Sequence, residues 1–158
     1  MSVSSEAGAK VWLPPPLVFA AFVAAAVALQ YAVIRWPIPL GAVPRWALGG
    51  LTLLAGLALN VTTLVMFRRS GQDPRPWRPS PSLLLRGPYK FSRNPMYVSV
   101  MLLQAGLGLL LDNLWIVIFV LPAMIIVHFT AVLPEEAYLG EKFSASYQAY
   151  KATVRRYI

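Results

Sequence analysis

Residues 46–67 read WALGGLTLLAGLALNVTTLVMF, a run of 22 residues without a charge. At about 1.5 Å of rise per residue, a helix of that length spans roughly 33 Å. The hydrocarbon core of a bilayer is about 30 Å thick, so this stretch is long enough to cross it. Three more apolar stretches flank it. Leu17–Ile34 has 18 residues and no charge, Tyr97–Leu111 has 15, and Leu114–Leu133 has 20 with His128 as its only ionisable group. As helices these span roughly 27, 22 and 30 Å. Only Asp112 and Asn113 separate the last two, which predicts a tight helical hairpin. Pro122 is expected to kink the second arm, because it lacks an N–H and its ring crowds the preceding turn.

Composition points the same way. Hydrophobic residues make up 58% of the 158-residue chain and charged residues 13%, with a mean hydropathy of +0.60. Soluble domains carry about 25% charged residues, and a domain this small leaves much of its surface in water. Disorder is excluded by the hydrophobicity. The absence of cysteine excludes a disulfide scaffold, cysteine-ligated zinc and a cysteine nucleophile, and a single histidine excludes a multi-histidine metal site. The fold class expected is therefore all-α and polytopic. It has about four transmembrane helices, a hairpin formed by the third and fourth, and an interfacial C-terminal helix. Segment one is long for the apolar core of a cleaved signal, so it is read as a crossing.

Of 14 Lys and Arg, four crossings put 12 on one side: Lys10, the seven of residues 68–96, Lys142, Lys151, Arg155 and Arg156. Arg35 and Arg45 fall on the other. By the positive-inside rule both termini and the long loop are cytoplasmic. The net charge of +8 then reflects contact with membrane lipids, and no nucleic acid is expected as a partner. The brevity of the chain and its lack of organelle signals point to a prokaryotic plasma membrane.

The chain reads as a single membrane domain, 1–158. Residues 1–67 supply a flexible lead ending in Pro14-Pro15-Pro16 and two crossings joined by a Pro-rich external turn. In the first of these helices' partners, segment two, Gly49, Gly50 and Gly56 favour close helix packing. Residues 68–158 supply a cytoplasmic cap, the hairpin and the C-terminal helix. Six prolines between 74 and 95 forbid a long helix there, while Trp77, Tyr89 and Phe91 among Arg and Lys suit an interfacial cap. From Glu135 to Tyr157, Tyr138, Leu139, Phe143, Tyr147, Tyr150 and Val154 recur at threes and fours, as in an amphipathic helix.

Chemistry concentrates in the cytoplasmic material. Asn94 is a good N-cap and Pro95 suits the first helical position, so a helix starts at the mouth of segment three. Its N-terminal dipole beside Arg93 makes an anion site; a plain helix start with a snorkelling Arg is the alternative. Gly106 and Gly108 lie two apart, on nearly opposite sides of a regular helix. One can face a ligand and the other a neighbouring helix. Glu135 and Glu136 are adjacent and diverge on a helix, so one can bind ligand while the other pairs with Arg93 or Arg156. The alternative is a solvated helix start. His128 lines a pocket or is hydrogen-bonded within the bundle.

Two separated stretches then form a pattern. Leu85-Arg86-Gly87-Pro88-Tyr89-Lys90-Phe91-Ser92-Arg93-Asn94-Pro95-Met96-Tyr97 resembles the GPY…SRHPxY signature of the isoprenylcysteine carboxyl methyltransferase-like proteins. Glu135-Glu136, Leu139, Phe143, Tyr147, Tyr150, Val154 and Arg156 resemble that superfamily's C-terminal signature. The superfamily includes phospholipid methyltransferases, in which a GxG motif and a Glu pair bind cofactor, and Gly106-Leu107-Gly108 is similar to that motif. The resemblance covers residues 83–158. It implies an integral membrane methyltransferase using S-adenosylmethionine, with S-adenosylhomocysteine as product, acting on a lipophilic acceptor that enters from the bilayer. A phospholipid amine or small thiol as acceptor, and a non-catalytic relative with a degenerate pocket, are the alternatives. Residue by residue, it makes Arg93 and Glu136 candidates for catalysis. Asn94, Tyr97, Gly106, Gly108, His128, Glu135, Glu136, Tyr147, Tyr150 and Arg156 become candidates for cofactor binding. Two positions depart from the pattern: Asn94 replaces a His, and Ser144 replaces a Gly. Asn cannot act as a base, which counts against a prenylated cysteine as substrate.

Overall fold

A computed structural model describes residues 8–157, and all its regular elements are helical. Helix α1 is Pro15–Ala32, α2 is Ala42–Arg69, α3 is Pro95–Leu110, α4 is Leu114–Ile118, α5 is Val120–Val127 and α6 is Leu133–Thr153. A 3-10 turn at Gly87–Lys90 precedes α3, and a π-helical turn at His128–Val132 joins α5 to α6. Three helical runs are long and apolar enough to cross a membrane: α1, α2 and the continuous run Leu114–Thr153. Helix α3 is a shorter apolar helix. The chain is a polytopic helical membrane protein.

Two prolines shape the last run. Pro122 has no N–H for the Ile118 carbonyl, and the helix breaks at Phe119, between α4 and α5. Pro134 likewise leaves the Thr130 carbonyl free. The turn before it widens to π geometry, with the Leu133 N–H reaching back to His128. The freed Thr130 carbonyl accepts the Trp12 N–H at 3.2 Å. The segment before α1 is thereby docked on the fourth crossing.

Helix α2 packs along α3, whereas α1 packs along α4 and α5. Two glycines bring α2 and α3 together. A Cβ on Gly106 would sit 2.7 Å from the Leu53 N, and one on Gly56 would sit 2.9 Å from the Leu103 N. Gly49 also faces α3, but Gly50 has open space around it and serves no packing role. Asn60 donates to Ser99 across the same interface at 3.0 Å. Val18, Phe19, Tyr97, Ala123, Met124, Val127, Ala131 and Val132 form the core between α1, α3 and the fourth crossing. Leu51, Leu54 and Val61 of α2, with Ile125 and Phe129, are exposed, as lipid-facing positions should be.

At one end, the α1–α2 connection and the α3–α4 turn are stapled together. Asp112, at φ 52°, accepts the Ile38 N–H at 3.0 Å through its side chain. Its backbone carbonyl accepts from Gln30 at 3.1 Å. Arg45 donates to the last carbonyls of α3, Leu109 at 2.9 Å and Leu110 at 3.1 Å, and lies 3.5 Å from the Asp112 carboxylate. Asn113 caps α4 by accepting from the Ile116 N–H at 3.2 Å.

The basic segments meet at the opposite end. Ala9 donates to the Pro76 carbonyl at 2.9 Å, the Ser80 N–H to the Tyr138 hydroxyl at 3.1 Å, and the Arg93 N–H to the Arg155 carbonyl at 2.9 Å. Two expectations change here. The lead is not free, since Ala9 bonds to Pro76 of the cap, Trp12 to Thr130 of the fourth crossing, and Pro15 and Pro16 open α1; residues 1–7 lie outside the described residues. The C-terminal amphipathic helix is also not one regular helix. It continues directly from the fourth crossing, breaks at Ser144 (φ 38°, ψ −112°) and gives way after Thr153 to an extended strap.

Candidate active site at the basic end

A cavity opens among the start of α1, the end of α2, the start of α3 and the start of α6. Its volume is about 160 Å³. Pro15, Pro16, Phe67, Met96 and Val100 give it apolar walls, residues 74–77 form a roof, and Tyr89 closes one side. Arg93, Asn94, Tyr97 and Glu135 supply most of its polar lining. The roof is held in part by Asp73, which accepts from the Arg75 backbone N–H and guanidinium.

The two acids after the fourth crossing diverge, as adjacent helical positions must. Glu135 lines the cavity and accepts the Tyr97 hydroxyl at 3.1 Å. It lies two residues past the apolar stretch Leu114–Leu133. Burial pushes its carboxyl up to about 7; the Tyr97 hydrogen bond opposes the shift and the Glu136 charge adds to it. Glu136 does not line the cavity. Both its oxygens accept from the Arg156 guanidinium, at 2.9 and 2.8 Å, and Arg93 Nη2 lies 3.4 Å from Oε1.

Asn94 holds the N-cap position, but its side chain does not cap the helix as expected. Its Nδ2 donates to the Arg156 carbonyl at 3.0 Å, and its own N–H is taken by the Ser92 hydroxyl at 3.1 Å. The side chain therefore ties the C-terminal strap to the mouth of α3. Tyr150 does similar work by donating to the Tyr89 carbonyl at 2.6 Å, and Tyr147 is buried beside it.

The structure thus brings Arg93, Asn94, Tyr97 and Glu135 onto one cavity, with Glu136, Arg156, Tyr147 and Tyr150 bracing it from behind. It does not bring the other three candidates there. His128 bonds through Nδ1 to the Tyr157 hydroxyl at 2.6 Å, the in-bundle alternative. Gly106 faces α2, and a Cβ on Gly108 would meet Val117 at 2.7 Å, so both glycines serve helix contacts. Sequence reasoning missed Pro15, Pro16, Phe67, Met96 and Val100, which carry no chemical signature. Their signal is positional, since each sits in the first or last two turns of a helix on the basic side.

A family model described as phospholipid methyltransferase matches residues 44–146. This family is part of the isoprenylcysteine carboxyl methyltransferase-like superfamily. No curated protein matches the chain. With about two thirds of its length inside the match and the mouth of α3 and the acid pair both included, the chain belongs to the phospholipid methyltransferase family of integral membrane methyltransferases.

Proposed function

We propose that this protein transfers a methyl group from S-adenosylmethionine to the amine of a lipid that reaches the cavity from the cytoplasmic leaflet. The observation that carries this reading is the cavity itself. It lies where the crossings meet the basic cap, apolar on its helix walls, with Glu135 and Arg93 facing inward and making no ion pair with each other. A carboxylate and a guanidinium lining one cavity fit a donor that carries both an ammonium and a carboxylate. S-adenosylmethionine supplies, when bound, a methyl on a sulfonium, which leaves as the thioether when a nucleophile attacks in line.

The residues of this chain supply positioning and proton transfer. Asn94, Tyr97 and Glu135 offer hydrogen bonds to the donor, while Tyr147, Tyr150 and Arg156 keep the strap closed behind them. Alignment of two reactants can contribute roughly 7–11 kcal/mol to such a displacement. An amine acceptor must lose a proton before or during attack. A carboxylate near neutrality is matched to that task, which favours an amine over a thiol. Glu136, first expected to act in catalysis, is proposed instead to position Arg93 and Arg156.

The test is isotope-labelled methyl transfer in vesicles containing an aminophospholipid, with lipid products read by mass spectrometry. The reading requires a labelled N-methyl lipid and S-adenosylhomocysteine in equal amounts. Absence of both, with no calorimetric binding of S-adenosylhomocysteine, would overturn it.

A further inference from the structure

The turn before α3 meets the end of α2 at the depth of the membrane surface. The uncharged run of α2 ends at Phe67, and Arg68 and Arg69 follow it at once. The 3-10 turn Gly87–Lys90 is pressed against that last apolar turn. Gly87 takes φ 55°, a Cβ there would lie 2.7 Å from the Met66 sulfur, and the Tyr89 ring stands edge-on to Phe67 at 6.1 Å. Tyr150 holds the turn from another side by donating to the Tyr89 carbonyl. Two large apolar side chains bracket the turn and stay open: Phe91 is 79% exposed and Leu85 43%. Water is a poor surrounding for such groups, whereas the boundary between headgroups and acyl chains accepts them. Beside them stand Arg68, Arg69, Arg86 and Lys90. All four are exposed and make no ion pair among the described residues. The nearby carboxylates Asp73, Glu135 and Glu136 are engaged elsewhere, with Arg75, Tyr97 and Arg156.

We propose that Leu85, Phe91 and these four cations form a docking surface for the anionic lipids of the leaflet at the basic end. Leu85 and Phe91 enter the boundary between headgroups and acyl chains, and Arg68, Arg69, Arg86 and Lys90 pair with the lipid anions. Charge complementarity selects the partner, since four uncompensated cations match a negative leaflet and not a zwitterionic one. A general excess of basic residues would not require this arrangement, in which apolar and basic groups share one turn fixed at one depth. The same turn carries Tyr89, which closes one side of the cavity, so docking fixes that wall at the leaflet surface. No methyl donor takes part, and the surface and the proposed reaction can therefore fail separately.

The chain has no cysteine, so a single introduced one takes a nitroxide label without competition. Phe91→Cys and Leu85→Cys are labelled separately in the full chain, each leaving the other apolar residue in place. Val61→Cys on the lipid-facing side of α2 and Gln148→Cys on the exposed side of α6 supply the bilayer and water references. Electron paramagnetic resonance in nanodiscs measures the access of each label to oxygen, which enters the bilayer, and to a nickel chelate, which stays in water. The nanodiscs hold choline lipid alone or choline lipid mixed with phosphatidylglycerol. With phosphatidylglycerol present, both labels should fall between the two references, and with choline lipid alone they should move to the water value. Each cation at a negative surface favours docking by roughly fivefold, so the pair Arg86→Gln and Lys90→Gln should shift the docking equilibrium about twentyfold toward water. High salt should act in the same direction. Labels that stay at the water value in both lipid mixtures would overturn the proposal and leave the patch to a soluble acidic partner. Labels at an intermediate depth that ignore both lipid charge and the paired neutralisation would overturn it as well.

Discussion

The two ends of the bundle use polar residues in opposite ways. At the α1–α2 connection, Gln30, Arg45, Asp112 and Asn113 spend their side-chain groups on the backbone of neighbouring turns. At the basic end, Arg93 keeps two donors unused, Glu135 faces a cavity, and the pairing at Glu136 is lopsided. Satisfied groups hold a fold together, while groups left unsatisfied beside a cavity mark where a ligand completes the set. The first end works as a staple and the second as a site.

The largest expected effect breaks the second end. Glu135→Gln should reduce methyl transfer by about a hundredfold or more while leaving the melting temperature within a few degrees, since the amide still accepts the Tyr97 hydroxyl. A variant that keeps its rate shows that Glu135 serves neither donor nor proton. Asp112→Ala should do the reverse. It should cost about 1–3 kcal/mol of stability, measured by thermal unfolding in detergent, and leave the affinity for S-adenosylhomocysteine unchanged. A loss of affinity there would mean that the two ends are coupled.

The pH response sharpens the contrast. The Glu135 carboxyl is raised to about 7, so it is neutral below and charged above. Affinity for the cationic donor should rise roughly tenfold from pH 6 to pH 8, and Glu135→Gln should flatten the profile. Stability of the ligand-free protein runs the other way. The folded state binds the Glu135 proton more tightly than the unfolded state does. This contribution is therefore present at low pH and is lost as pH rises from the ordinary carboxylate range through about 7. The smallest effect concerns Ser144. A non-glycine residue at φ 38°, ψ −112° is strained, and Ser144→Gly should stabilise by about 0.5–1 kcal/mol. A decrease in melting temperature would show that the break is not held under strain.

The crossings were legible because length and apolarity decide them. Pro122 and Pro134 were visible as breakers, but only the packed structure shows which carbonyls they free and that Trp12 takes one. The divergence of Glu135 and Glu136 follows from helix geometry; which of them faces the cavity depends on the strap that brings Arg156 to Glu136. Gly106 and Gly108 illustrate the limit of motifs. A GxG in a membrane helix serves close packing and ligand approach alike, and here the neighbouring helices occupy both faces. The apolar walls of the cavity were invisible, because Pro15, Phe67 and Val100 differ from any other membrane residue only by where the fold puts them.

The central claim is that the methyl donor sits between the mouth of α3 and the acids after the fourth crossing. Photolabelling with 8-azido-S-adenosylmethionine, mapped by peptide mass spectrometry, tests it most directly. The account predicts labels within residues 74–97 or 135–157, suppressed by excess S-adenosylhomocysteine. Labels confined to the α1–α2 connection, or none that the competitor suppresses, would contradict it.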